Sequence, residues 1–365
     1  MKPQSPGPHV PADPPRRSPC KIAFVGEAPA DDEVNPIVGP RRPLIGPSGR
    51  VFNAMLRAAN LDRSEFWIGN VFSEQLPANF VGNWCSGREE SRAWPSYALE
   101  PLGRDGYLRP EHTWHLDRLR EELREARPTV VVPMGATALW AFTGRTEIGA
   151  ARGHTQAARF ILPGVKLLPV YHPAFVMKQW RWFTIGVGDF IKAARESQFK
   201  RVRHRRRRLF LEPTLADLWD YKRDVLDRAE YLSGDIETGW GQITCVGWGP
   251  GPDQAICCPF VDLRRPDRCY WRSVAEELEA WEWVEAVAAS PLPKLGQNFT
   301  YDVFWHLDRM SIKMRNYLHD TRLLHHALFP ELPKDLGFMA GMYENVAPWK
   351  LMKRPGVGGT EKRDD

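Results

Sequence analysis

The apolar positions along the chain fall into short runs and helical stripes. Lys21–Val25 is an apolar run ending at Gly26, the pattern of a buried strand entering a turn. Ser48–Asn60 places Val51, Met55, Ala58 and Ala59 at helical spacing, and Phe66-Trp67-Ile68 reads as a second strand ending at Asn70. Residues 76–110 are rich in Pro, Gly and Trp without a clear period, which predicts an irregular insertion. His115–Ala126 reads as a charged amphipathic helix ended by Pro128, and Thr129–Pro133 as a buried parallel-type strand. Gly135 opens another helix. Lys166–Tyr171 is a further strand, followed directly by His172-Pro173. This alternation predicts an α/β unit with a parallel sheet and helices on both faces. Four loops, after residues 25, 68, 132 and 171, follow strands. In such sheets ligands bind beyond the carboxyl ends of the strands.

A second α/β pattern follows. Leu232–Glu237 and Ile243–Trp248 read as strands joined by a Gly-Trp-Gly turn. Ser273–Ala289 is helical, Lys294–Gly296 is a short strand, and Phe299–Leu307 and Thr321–Leu328 are helices. Between the two patterns Lys200–Arg208 holds seven of the fifty Lys and Arg. That run, with Arg205, Arg206, Arg207 and Arg208 at its end, reads either as a polyanion-binding patch or as a solvated linker. The expected organisation is a disordered arm at 1–19, a first domain at 20–198, a basic linker at 199–208, a second domain at 209–350 and a disordered tail at 351–365.

Composition narrows the class. Apolar residues make up 43% and charged residues 26% of the 365, the balance of a globular domain protein. No run is long and apolar enough to span a membrane. The proline-rich stretch Met1–Pro19 lacks the apolar core of a secretory signal. The six cysteines (Cys20, Cys85, Cys245, Cys257, Cys258 and Cys269) form no CxxC pair, and no His stands at zinc-finger spacing from them. Reduced thiols and no structural zinc are expected. Fifteen tryptophans are mostly core residues, with some free to stack on bases.

The candidate chemistry of the first pattern sits in its strand-end loops. An imidazole can stabilise negative charge on a departing base. An acid can hold water or stabilise a sugar cation. An amide can read a donor and an acceptor on a pyrimidine edge. His172, Glu27 and Asn70 are these residue types; a backbone-capping role for His172 and turn chemistry for Glu27 and Asn70 remain open beside them. Gly26-Glu27-Ala28-Pro29, Leu44-Ile-Gly46-Pro-Ser48-Gly49, Gly69-Asn70-Val71, Gly135-Ala136 and Tyr171-His172-Pro173-Ala174 follow in order, each at a strand end or helix start. Over residues 20–195 these motifs resemble the uracil-DNA glycosylase superfamily, in the branch typified by the thermophilic family 4 enzymes. The resemblance implies that His172 and Asn70 contact uracil and that Glu27 supports hydrolysis. It further implies that Gly26, Ala28, Pro29, Leu44, Gly46, Ser48, Gly49 and Pro173 line the base and DNA path. Two departures stand out. Leu44 replaces the usual stacking Phe, a loss of about 1–3 kcal/mol. The four-cysteine iron–sulfur cluster of the related enzymes cannot be built from Cys20 and Cys85, so no cluster is expected.

In the second pattern Asp235 and Glu237 lie two apart on a strand and so share a face. Paired carboxylates can hold Mg2+ or Mn2+ for phosphodiester hydrolysis. Leu295–Asp302, with Asn298 and Asp302 at a helix start, is followed by His319-Asp320-Thr321, Lys334-Asp335-Leu336 and Tyr343. From about 209 to 350 this resembles the ribonuclease-H-like 3′–5′ exonuclease domain of family A DNA polymerases. The resemblance implies metal ligation by Asp235, Glu237 and Asp302; Asp320 reads as a helix N-cap and His325 and His326 as packing residues. The family's closing Tyr-x-x-x-Asp motif is not matched after Tyr343. The combined expectation is a DNA-processing chain acting on single-stranded or uracil-containing DNA in the cytoplasm of a bacterial or phage-infected cell, the front part of a phage-type polymerase. The alternatives are an inactive single-strand-binding or replisome accessory module, and one chain of a split polymerase that works with a separate polymerase chain.

Overall fold

The computed structural model describes residues 8–37, 39–94, 101–102, 106–203 and 205–346. They form two compact units, one gathering the chain up to Arg203 together with the segment from Gly337, the other ending at Leu336.

The first unit runs β1 (Ile22–Gly26), α1 (Asp31–Val34), α2 (Pro47–Ala58), β2 (Trp67–Asn70), β3 (Cys85–Ser86), α3 (Arg88–Ser91), β4 (Tyr107–Leu108), α4 (Trp114–Ala126), β5 (Val130–Pro133), α5 (Ala136–Thr143), α6 (Ile148–Ala151), β6 (Gln156–Ala157), β7 (Lys166–Leu167), α7 (Pro173–Lys178) and α8 (Phe183–Glu196). Its main sheet has the order β2-β1-β5-β7-β6. β1 pairs in parallel with both β2 and β5, and β5 with β7; only β6 is antiparallel. β1 and β5 are buried along their whole length, as fully apolar strands between helical layers require. Phe24 of β1 packs on Phe52 of α2 and Phe190 of α8, with ring centroids 5.2 and 4.9 Å away. The strand expected over Lys166–Tyr171 is shorter as a regular strand, but Leu168 and Val170 N–H still donate to Val131 O and Pro133 O at 2.9 Å each, and Val170 forms an isolated bridge with Met134.

The arm is not free from residue 8 on. Val10 N–H donates to Ser73 O at 2.8 Å, and Asp13 forms an antiparallel bridge with Ile68 at the open side of β2. Asp13 also binds Arg42 and Arg63, each at 2.8 Å. A polar, proline-rich segment can thus be ordered by an unpaired strand edge and two guanidinium groups, which no local pattern reveals.

The second unit contains β8 (Arg208–Phe210), α9 (Leu215–Asp224), β9 (Leu232–Gly239), β10 (Gln242–Gly251), β11 (Gln254–Pro259), α10 (Val274–Ala288), β12 (Lys294–Gly296), α11 (Phe299–Met310), β13 (Tyr317–Asp320) and α12 (Thr321–Leu328). The sheet order is β13-β12-β9-β10-β11-β8. β9, β10 and β11 form an antiparallel meander, β12 runs parallel to β9 and β13 parallel to β12. The core lies under α9 and α10, where Trp283 is fully buried and its indole N–H reaches Leu218 O at 2.7 Å.

Two expected boundaries move. The last residue of the basic run, Arg208, begins β8, which pairs in parallel with β11. The segment from Gly337, expected in the second domain, packs in the first unit through α13 (Leu336–Tyr343). There the Lys192 ammonium donates to Gly153 O, Gly341 O and Glu344 O at 2.6, 3.2 and 2.6 Å. Asn345 Oδ1 accepts from Thr155 N–H at 2.9 Å. α13 carries no charged side chain, so its sequence does not mark one face for one partner. The expected tail at 351–365 lies outside the described residues.

Candidate active site

The carboxyl ends of β1, β2, β5 and β7 bring the predicted loops together. Gly26 and Asn70 are register partners at the ends of β1 and β2. A Cβ on Gly26 would lie 2.3 Å from Asn70 Oδ1 and 3.6 Å from His172 Nε2. The missing side chain therefore lets an amide and an imidazole converge on the strand end. Gly135 has φ +89°, and a Cβ there would meet His172 Cβ at 3.2 Å. Asn70 is buried, and its backbone carbonyl is held by Arg118 Nη2 at 2.8 Å.

His172 caps α7: its Nδ1 accepts from Ala174 N–H at 3.1 Å, ahead of the buried Pro173 at the first helical position. The capping reading of this residue is met, and the other ring nitrogen lies toward Gly26, 3.6 Å from where its Cβ would stand. Burial lowers the imidazole pKa to about 4, so the ring is neutral at pH 7. With Nδ1 accepting, the proton sits on Nε2, the nitrogen that faces the site.

Glu27, half-buried, follows Gly26; its backbone carbonyl accepts from Phe72 N–H at 2.9 Å, and Thr137 of α5 donates its hydroxyl to the carboxylate. Thr137 was not among the expected residues; its signal was only its place in the first turn after the Gly135 loop. Ala28 packs against the core and Pro29 is buried, which fixes the backbone leaving β1.

The Leu44 loop is tightly held. Leu44 is 3% exposed and has φ +55°, a left-handed backbone that costs a branched residue about 1 kcal/mol. Its N–H donates to Glu33 Oε1 at 2.6 Å, while Arg63 donates to Leu44 O and Pro43 O at 3.1 and 2.6 Å. Gly49, in the first turn of α2, would place a Cβ 2.0 Å from Leu44 O; Gly46, the residue before α2, would place one 2.7 Å from Asp32 Oδ2. Ser48 lies half-buried between them. Glu33 escaped sequence reasoning altogether. It is buried, ties Ala30 N–H (3.1 Å) to Leu44 N–H, and burial raises its carboxyl pKa to about 7 against those bonds and the Arg63 charge. Beyond His172, α7 leads into the exposed side chains of Met177 and Trp180.

The residues do not fit a four-thiolate cluster. Cys20 and Cys85 are the first unit's cysteines, both in the apolar core. Burial raises both thiols, Cys85 to about 11, the reverse of a metal-binding thiolate.

In the second unit Asp235 and Glu237 are exposed on one face of β9, as alternation requires. Asp302 is buried and its Oδ1 accepts Ile236 N–H at 2.8 Å. Burial, then the Asp235 charge, raises its carboxyl pKa to about 7. Among the described residues no group of three or more His, Cys, Asp or Glu is placed to hold a metal ion. The expected ligand trio is thus not gathered as a metal centre among the described residues, and one oxygen of Asp302 is engaged by the β9 backbone. Asn298 has φ +58° and receives Arg322 Nη1 on its side-chain oxygen at 2.7 Å, which ties α11 to α12. Asp320 caps α12 through Arg322 N–H at 2.8 Å. His325 is buried and His326 exposed. Arg205 pairs with Asp253, Arg207 donates to Pro252 O at 3.2 Å, and Arg205–Arg208 are all exposed.

Residues 17–196 match the family model of the uracil DNA glycosylase superfamily, and this part of the chain is a domain of that superfamily. The chain is also similar to the type-4 uracil-DNA glycosylase of Thermotoga maritima, 24% identical over 158 residues that cover 43% of this chain and 67% of the relative. No helix among the described residues is long and apolar enough to cross a membrane.

Proposed function

We propose that the first unit binds a uracil base flipped out of DNA and cleaves its N-glycosidic bond. The observation that carries this reading is the convergence of Asn70 and the neutral, Nε2-protonated His172 on the bare backbone of Gly26. Asn70 would offer a donor and an acceptor to the pyrimidine edge. The Nε2–H would donate to the base oxygen on which negative charge develops. A neutral donor suits a site that must also leave Glu27 free to order water or stabilise the sugar cation. Ala28, Pro29, Leu44, Gly46, Ser48 and Gly49 would form the wall, with Leu44 giving apolar contact only. The exposed Met177 and Trp180 supply apolar surface for the gap left by the extruded base. The test is release of free uracil from single-stranded uracil DNA without added metal. His172→Ala should slow it by about 100- to 1000-fold. Intact DNA after prolonged incubation with folded wild-type protein refutes the reading.

For the second unit we propose a ribonuclease-H-like module that holds single-stranded DNA rather than cutting it. The strand order, an antiparallel meander followed by two parallel strands on the β9 side, supports the fold. A binding role is supported by the acids themselves, since among the described residues no three of them are placed to hold a metal ion. A 3′-labelled strand should stay full length with Mg2+ or Mn2+; metal-dependent shortening would restore the nuclease reading.

A further inference from the structure

The second unit has a cavity of about 560 Å3 lined by none of the expected site residues. That volume lies within the range of small-ligand sites. Its walls include Trp240, Phe260, Arg268, Glu277, Trp281 and Arg309. Asp302 is in the first turn of α11 and Arg309 in the last, so the cavity lies about 10 Å along that helix from the acid.

The walls combine flat apolar surface with separate charges of both signs. Phe260 and Trp281 stack with centroids 3.8 Å apart and planes at 12°. The Arg268 guanidinium lies over the Trp240 ring, 5.3 Å from its centroid. Arg309 is paired with Asp308, and Asp267 at the rim with Arg265. Arg268 and Glu277 form no ion pair among the described residues, which leaves one cation and one carboxylate for a guest.

The backbone adds a second observation. Trp240-Gly241 is the two-residue loop between β9 and β10, since Gly239 pairs with Gln242. Trp240 has φ +51° and Gly241 φ +75°, the mirror-image turn that favours Asn-Gly. A bulky indole in the left-handed first position is strained, and it is 66% exposed, so packing does not repay the strain. Arg268, whose guanidinium lies over that ring, also has a left-handed φ, +58°. Both members of the cation–ring pair are held at backbone positions that their side chains do not favour.

We propose that this cavity binds a nucleotide: a base against the Trp240, Phe260 and Trp281 rings that line it, its phosphate on Arg268, and an exocyclic amine donating to Glu277. A carboxylate accepts from the amino group of cytosine and repels the carbonyl edge of thymine. The site therefore prefers cytosine over thymine. The shared chemistry covers a free mononucleotide and one residue of a single strand.

The experiment is equilibrium dialysis of the full chain against dCMP, dTMP and a four-nucleotide oligo-dC. dCMP should bind saturably and several-fold more tightly than dTMP. Trp240→Asn and Arg268→Ala should each weaken dCMP binding by about tenfold. Trp240→Asn should also hold or raise the thermal midpoint, since Asn suits the turn, so lost binding there is not lost folding. Glu277→Gln should erase the preference for cytosine. Tighter binding of the oligomer marks a strand as the natural guest, equal binding a free nucleotide; both support the site. No saturable binding of any probe up to about 10 mM, or equal affinity in Trp240→Asn and wild type, overturns it.

Discussion

At the residue scale, the proposed site turns on one imidazole whose two nitrogens have different surroundings. Because Nδ1 is committed to Ala174 N–H and burial holds the pKa near 4, His172 stays neutral over the working pH range. The rate of uracil release should show no inflection near pH 6.5, the ordinary histidine value; it should fall only as pH approaches 4 and the ring gains a second proton. A pH–rate profile from 4 to 9 reads this directly. His115, fully buried, has its pKa pushed to about 3 by desolvation first and the Arg118 charge second. A depressed imidazole contributes stability that is present above pH 6.5 and lost as pH falls toward the folded value. His115→Phe should therefore gain stability relative to wild type on acidification, by about 1.4 kcal/mol per pH unit below 6.5. Urea melts of both proteins at pH 7 and pH 5 give the difference.

At the element scale, the glycines mark where backbones approach. Gly49→Ala would drive a Cβ into Leu44 O, a backbone atom that cannot swing aside. A loss of about 1–3 kcal/mol is expected, with weaker uracil binding because the Leu44 loop must move. Thermal melting and KM measured together test it. α13 is held to the first unit by a different device. Phe338 packs on Trp182 with centroids 5.8 Å apart and lies under the Arg152 guanidinium, while two of the three carbonyls around Lys192 come from this segment. Deleting residues from 337 onward should leave a buried ammonium short of acceptors and cost about 3 kcal/mol or more. A stop codon at 337, followed by denaturant unfolding of the first unit, measures that cost.

At the scale of the whole molecule, charge is concentrated rather than abundant: the net charge is +5, yet Arg205–Arg208 stand exposed together. Binding to single-stranded DNA should weaken steeply with salt, and neutralising these four arginines should reduce the slope of log affinity against log salt by about 2–3. Filter binding at several salt concentrations decides it; an unchanged slope would leave the run a solvated linker. The same comparison separates the two units, since uracil release by the first should survive these substitutions.

The sequence by itself determined what local chemistry can encode. Apolar runs bounded by glycine and proline located β1, β2, β5, β9, β10 and β12 to within a few residues, and the helical stripes located α2, α4, α10 and α12, because period and punctuation are local properties. It also named Glu27, Asn70 and His172 as candidates, since their residue types suit base recognition and hydrolysis. Only the tertiary structure decided what those residues meet. It brought Asn70 and His172 onto Gly26 across two strand ends. It pinned Asp13 between two arginines from either side of α2, buried Glu33 under Leu44, and turned Asp302 to the backbone of Ile236. It also returned the segment after Gly337 to the first unit. Each of these depends on groups brought together from distant parts of the chain, and burial and charge are properties of that gathering rather than of any window of sequence.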